Sequence, residues 1–155
     1  MHFDWISQRV ALGPRPSSTH DLQELAFEGI THVVNMAAEV DLANLVPRRG
    51  LPEGQPWPVL TAFPVGDAEE GRGRRGDKLR AAVAHVTDVL EQSQEHRVYV
   101  HCVHGVSRSA TVVLGWLMQT QGMSVGEALV HLRAARPKAS PHPLLVAEML
   151  DTPRS

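Results

Sequence analysis

The sequence predicts an α/β fold, one domain over residues 1–155 with a mostly parallel central sheet of four or five strands and helices on both faces. Short β-branched runs alternate with amphipathic helical runs over roughly the first hundred residues, the order that crossover connections impose on a parallel sheet. The length of 155 residues suits one domain with its own core. A composition of 43% hydrophobic and 21% charged residues is that of a globular chain, and no apolar run approaches the ~18 residues of a membrane span. Disordered, fibrous and membrane-spanning classes are excluded.

Each element has its own signal. Val10-Ala11-Leu12 ends at Gly13-Pro14 and reads as a first strand running into a turn. Ser18 and Asp21 have the spacing of a capping box, Leu22, Leu25 and Ala26 share one helical face, and Gly29 stands at the left-handed C′ position. Ile30 to Asn35 is continuous and β-branched, as in a strand buried on both faces. Residues 37–56 carry no period and form a long loop, a kind that is usually functional or mobile. Val59 to Phe63 resumes a strand, and Pro64-Val65-Gly66-Asp67 leads out of it. Gly71 to Gly76 reads as a loop, and Asp77 as the cap of a helix with Leu79, Ala82, Val83, Val86 and Leu90 on its core face. Val98-Tyr99-Val100 is a strand that delivers the chain to His101 and Cys102. Thr111 to Gln121 is apolar almost all round, a buried central helix closed by Gly122. Ser124 and Glu127 box the start of a helix ending at Pro137, and a last helix runs from about Ser140 toward Thr152.

With 15 Lys and Arg against 17 Asp and Glu, the net charge of −2 gives no global basic field for nucleic acid or anionic lipid. An anion must be caught locally. The single cysteine, Cys102, excludes an internal disulfide framework and a cysteine-clustered zinc site. The N-terminus shows no secretory signal, so a cytoplasmic monomer without a membrane segment is expected. In parallel sheets, ligands bind beyond the carboxyl ends of the strands, and Cys102 follows such an end. The loop His101-Cys102-Val103-His104-Gly105-Val106-Ser107-Arg108 joins that strand to the central helix. Strand, tight loop and helix N-terminus together point successive backbone amides at one spot, which makes an anion cradle. Arg108 adds a planar fork suited to two phosphate oxygens. A thiol titrating at about 8.5 falls to roughly 3.5–7.5 in such a setting, so Cys102 should be largely thiolate at neutral pH.

The spacing C-x5-R, with Gly105 inside it, His101 before it and Ser109 after it, resembles the signature P-loop of cysteine-dependent phosphatases, and the form HCxxGxSRS is most similar to the dual-specificity phosphatases. Val10 to Gly13, Gly29 to Asn35 and Ser124 to Leu129 extend the resemblance over roughly residues 5 to 150. The resemblance implies that Cys102 is the nucleophile of a cysteinyl-phosphate intermediate. It implies that Arg108 and the amides of Val103, His104, Gly105, Val106, Ser107 and Arg108 bind the phosphoryl oxygens. Ser109 then donates to the Cys102 sulfur as it leaves, and His101 orders the loop. The general acid is an Asp on a loop some 30–40 residues before the cysteine in this family. Asp67, 35 residues upstream and directly after a strand, matches better than Asp77, 25 residues upstream at a helix start.

Other readings are weaker. His101 and His104 lack further ligands at partner spacing, so no metal and no cofactor is expected. His104 reads as an exposed loop residue rather than a second-phosphate contact, and Arg72, Arg74 and Arg75 as a solvated loop rather than a substrate contact. Gly105 to Ser109 lacks the closing glycine of a serine-hydrolase elbow. Pro141-His142-Pro143 replaces the Pro-Asn often found near the start of the family's last helix, and only Phe63 is aromatic beside the acid segment. The expected function is hydrolysis of phosphotyrosine and, beyond it, of phosphoserine and phosphothreonine in phosphorylated proteins. The alternatives are a phosphatase of non-protein phosphoesters, a phosphoinositide or an RNA 5′-phosphate, and a catalytically silent phosphoprotein-binding module. The loop lacks the lysines of phosphoinositide-specific relatives, and nucleic acid is expected only as a possible substrate.

Overall fold

In the computed structural model, which describes residues 1–66 and 75–151, all four apolar runs pair as strands. They are β2 (Val10–Gly13), β3 (His32–Ala37), β4 (Val59–Val65) and β5 (Val98–His101). A fifth strand, β1 (Asp4–Trp5), is too short to show a period in the sequence. The sheet order is β1-β2-β5-β3-β4, with β1 antiparallel to β2 and the remaining pairs parallel. In the central register His101 lies between Gly13 of β2 and Asn35 of β3. The loop leaving β5 is therefore flanked by the carboxyl ends of both neighbours.

Alternation along the strands feeds two cores. Val98 and Val100 join Leu12, Val34 and Met36 in a larger cluster covered by α2 (Arg75–Gln92), α3 (Arg108–Gln121), α4 (Val125–Ala135) and α5 (Pro143–Leu150). Tyr99 faces the other way, with Ala11, Val33 and the Leu22 and Leu25 side chains of α1 (Thr19–Phe27). Residues 108–117 of α3 are all buried, as its apolar circumference demands. No described helix is long and apolar enough to cross a membrane.

The caps follow the side-chain chemistry. Ser18 accepts from the Asp21 amide at 3.1 Å, but the Asp21 carboxylate accepts from the amide and hydroxyl of Ser17, one residue earlier than in a standard box. Ser124 and Glu127 form the reciprocal box. His142 Nδ1 accepts from the Leu144 amide at 3.1 Å with Pro143 at the helix start, so the Pro141-His142-Pro143 turn carries its own cap.

Two expectations are corrected. α2 begins at Arg75, two residues before Asp77, which sits in the first turn and pairs with Arg80 instead of capping the helix. Gly76 makes this possible, because a Cβ there would overlap the Glu148 carbonyl oxygen, and only glycine lets the end of α5 lie on the first turn of α2. Across this contact the buried Arg75 pairs with Glu148 at 2.7 Å, and Arg80 donates to the carbonyls of Glu148, Met149 and Asp151. Arg75 is thus part of a buried helix junction and not a solvated loop. Arg72 and Arg74 lie outside the described residues.

Gly13 is equally constrained. A Cβ there would overlap Tyr99 Oη, which donates to the Pro14 carbonyl, and Phe3 Cβ. Gly13→Ala is expected to lower stability by about 1–3 kcal/mol through overpacking. An unchanged denaturation midpoint in urea would contradict that close contact.

Candidate active site

Backbone hydrogen-bond accounting explains how the loop holds its shape. Every carbonyl from Cys102 to Ser107 has a donor. Cys102 O accepts from His101 Nδ1 at 2.9 Å and Val103 O from the Arg15 amide at 3.0 Å. His104 O and Gly105 O accept from Arg136 Nη2 and Nε at 3.1 and 2.8 Å. Val106 O accepts from the Ser140 amide at 2.7 Å, and Ser107 O from the amide and hydroxyl of Thr111 at 2.9 and 2.8 Å. With the carbonyls engaged outside, the amides are left for the interior of the loop. Gly105 adopts φ +68°, and a Cβ on it would overlap the Gly13 carbonyl group, so the loop rests directly on the end of β2.

Cys102 is buried, and its Sγ lies 3.1 Å from Ser109 Oγ. Burial opposes the thiolate, but the Ser109 hydroxyl and the amides of Ser109, Gly105 and Val106 outweigh it and hold the thiol below its ordinary range. His101 is fully buried, and desolvation pushes its pKa down to about 4. It is therefore neutral at physiological pH. Its carbonyl partner requires the proton on Nδ1. His101 orders the loop through that bond and adds no positive charge beside the sulfur.

Arg108, also buried, opens α3, and its guanidinium is oriented by two strand ends. Nη1 donates to Glu39 Oε1 at 2.6 Å and to the Val65 carbonyl at 2.8 Å, and Nη2 donates to Glu39 Oε2 at 3.3 Å. Arginine has five N–H donors, so Nε–H and one Nη2–H keep no partner among the described residues, a fork suited to two phosphate oxygens. The Arg108 guanidinium holds the Glu39 carboxyl below the usual carboxylate range. Glu39 is the site residue that the sequence reading missed. Its one signal is position, two residues past the carboxyl end of β3, where parallel sheets gather ligand contacts.

Cys102, Val103, Gly105, Val106, Ser107, Arg108 and Ser109 all come together here, with His101 behind them and His104 exposed to solvent. Asp67 lies outside the described residues; the chain leaves β4 at Val65, whose carbonyl contacts Arg108. Among the described residues no group of three or more His, Cys, Asp or Glu side chains could hold a metal ion.

The neutral His101 has a pH signature. Its folded pKa of about 4 lies below the ordinary 6.5, so the unfolded chain binds the extra proton first as pH falls. Stability should fall by about 3 kcal/mol between pH 6.5 and 4 on this account alone. Urea unfolding of the protein and of His101→Asn should show a shallower slope in the variant over that window. Equal slopes would refute the assignment.

The family model described as "Dual specificity phosphatase, catalytic domain" matches residues 11–154. The chain is 32% identical over 123 residues to the protein phosphatase Slingshot homolog 3 of Rattus norvegicus, covering 79% of this chain and 17% of that protein. It is 41% identical over 58 residues to dual specificity protein phosphatase 1 of Arabidopsis thaliana, covering 37% of this chain and 29% of the relative. The chain thus spans a sixth to less than a third of the length of these relatives. Among solved structures, the Cydia pomonella PTP-2 phosphatase superposes with a TM-score of 0.77 at 20% identity, covering 95% of this chain and 87% of the other. The human tyrosine phosphatase-like serine/threonine/tyrosine-interacting protein gives 0.72 at 23% identity, covering 95% and 92%. Both therefore share the overall fold of this chain. With the strand–loop–helix site in place and the family model matched over nearly its whole length, the chain belongs to the dual-specificity phosphatase catalytic-domain family.

Proposed function

We propose that this protein is a phosphatase that hydrolyses phosphotyrosine, and also phosphoserine and phosphothreonine, in phosphorylated proteins through a Cys102 phosphoenzyme. The observation that carries this reading is the Cys102 sulfur, 3.1 Å from the Ser109 hydroxyl and with its thiol held below the ordinary range, in a loop with outward carbonyls and a partly uncommitted Arg108 fork. Three phosphoryl oxygens are bound by the loop amides and the Arg108 fork, which places phosphorus over the sulfur. The sulfur attacks as the bond from phosphorus to the substrate oxygen breaks, and Asp67 gives that oxygen its proton. Water then attacks phosphorus and yields its proton to the Asp67 carboxylate. The sulfur leaves as a thiolate stabilised by Ser109. The family names of the relatives support a protein substrate, and intact Cys102 and Arg108 favour turnover over silent binding.

Cys102→Ser should abolish turnover of p-nitrophenyl phosphate, and comparable residual activity would refute the mechanism. Asp67→Ala should lower kcat on phosphopeptides by about 10²–10⁴-fold while leaving binding largely intact. A larger loss in Asp77→Ala would move the acid to that residue. Glu39→Gln removes the charge that fixes Arg108 and should lower kcat/KM by about tenfold or more through misorientation. A panel of tyrosine and threonine phosphopeptides, phosphoinositides and 5′-phosphorylated RNA identifies the substrate class. Exclusive turnover of a lipid or RNA would overturn the protein-phosphatase reading.

A further inference from the structure

Two peptide units of the loop serve two partners at once. A trans peptide points its C=O and its N–H in opposite directions, and the described chain has no cis peptide. The unit between His104 and Gly105 gives its carbonyl to Arg136 Nη2 at 3.1 Å, which turns its amide toward the interior of the loop, where it is among the groups that lower the Cys102 pKa. The next unit, between Gly105 and Val106, gives its carbonyl to Arg136 Nε at 2.8 Å, which turns its amide inward in the same way, with the same effect on the Cys102 pKa. The left-handed Gly105 between them lets successive amides converge, the arrangement of an anion-binding nest.

Arg136 reaches these carbonyls from the C-cap of α4 and is fully buried. A buried guanidinium is costly without a counter-charge, and Nη1 finds one in Asp4 Oδ2 at 2.9 Å, on the short edge strand β1. The planar fork can span two adjacent carbonyls, whereas a lysine ammonium is a point charge that cannot hold both in this geometry.

We propose that Arg136, held in place by Asp4, is a positioning residue for the cysteine: it fixes the 104–105 and 105–106 peptides with their carbonyls outward, so that their amides stay on the Cys102 sulfur and on an anion above it. This deepens the reading of Cys102 as nucleophile and rests on it for its catalytic meaning.

The chain's single cysteine gives a clean readout, because iodoacetamide alkylation reports one thiol. Arg136→Lys and Asp4→Asn should be compared with the parent protein by alkylation rate against pH, inorganic phosphate affinity and thermal unfolding. Arg136→Lys should raise the thiol pKa by about one unit, read as a shift of the alkylation midpoint to higher pH, with a roughly tenfold loss of phosphate affinity. Asp4→Asn should shift both in the same direction by less. A variant that loses thermal stability but keeps the parent's alkylation profile shows a merely structural role and overturns the proposal. Should Arg136→Lys fail to fold, Asp4→Asn decides alone, and an unshifted thiol overturns it. Neither readout needs turnover. Shifted alkylation in a protein that never hydrolyses aryl phosphate refutes the phosphatase reading and leaves this one standing; an active enzyme with an unshifted thiol does the reverse.

Discussion

A peptide unit cannot turn its N–H toward an anion without turning its C=O away, and the loop from Cys102 to Ser107 depends on that constraint. A buried carbonyl left without a donor costs about 1–3 kcal/mol, so the loop holds this shape only because all six carbonyls from Cys102 to Ser107 are satisfied. The donors come from segments far apart in sequence: the turn after β2, the end of β5, the start of α3, the cap of α4 and the linker behind it. No isolated strand–loop–helix could supply them. The surrounding domain exists, in this sense, to hold the backs of these peptides.

The electrostatics follow the same pattern. The net charge of −2 gives no long-range attraction for an anion, and the loop instead concentrates backbone dipoles and one guanidinium at short range. Burial keeps the adjacent His101 neutral, so the Ser109 hydroxyl and the loop amides, and not a histidine cation, hold the Cys102 thiol below its ordinary range. Glu39 balances part of the Arg108 charge, and that balance fixes the fork in direction while leaving two donors without a described partner. Both ion pairs at the site, Arg108–Glu39 and Arg136–Asp4, give a buried arginine a defined orientation.

Much of this was legible in the sequence where a signal is local. Apolar runs, the caps at Ser18 and Ser124, the left-handed Gly29 and Gly122, and the loop from His101 to Ser109 each depend on neighbours within a few residues. The misreadings share a cause. Asp77 looks like a helix cap until α5 is seen lying on Gly76, and Arg75 looks solvated until Glu148 meets it 73 residues away. β1 leaves no trace because two residues cannot show a period.

The sequence by itself determined the strand and helix order, the single thiol and its C-x5-R setting, because propensity, capping and motif spacing act along the chain. Only the tertiary structure decided that Glu39 orients Arg108, that Arg136 backs the loop 31 residues away and pairs with Asp4 132 residues away, and that His101 is neutral. Those properties arise from burial and from contacts between distant segments. An arginine or glutamate reads the same along the chain whether it faces water or the back of a peptide; packing alone distinguishes the two.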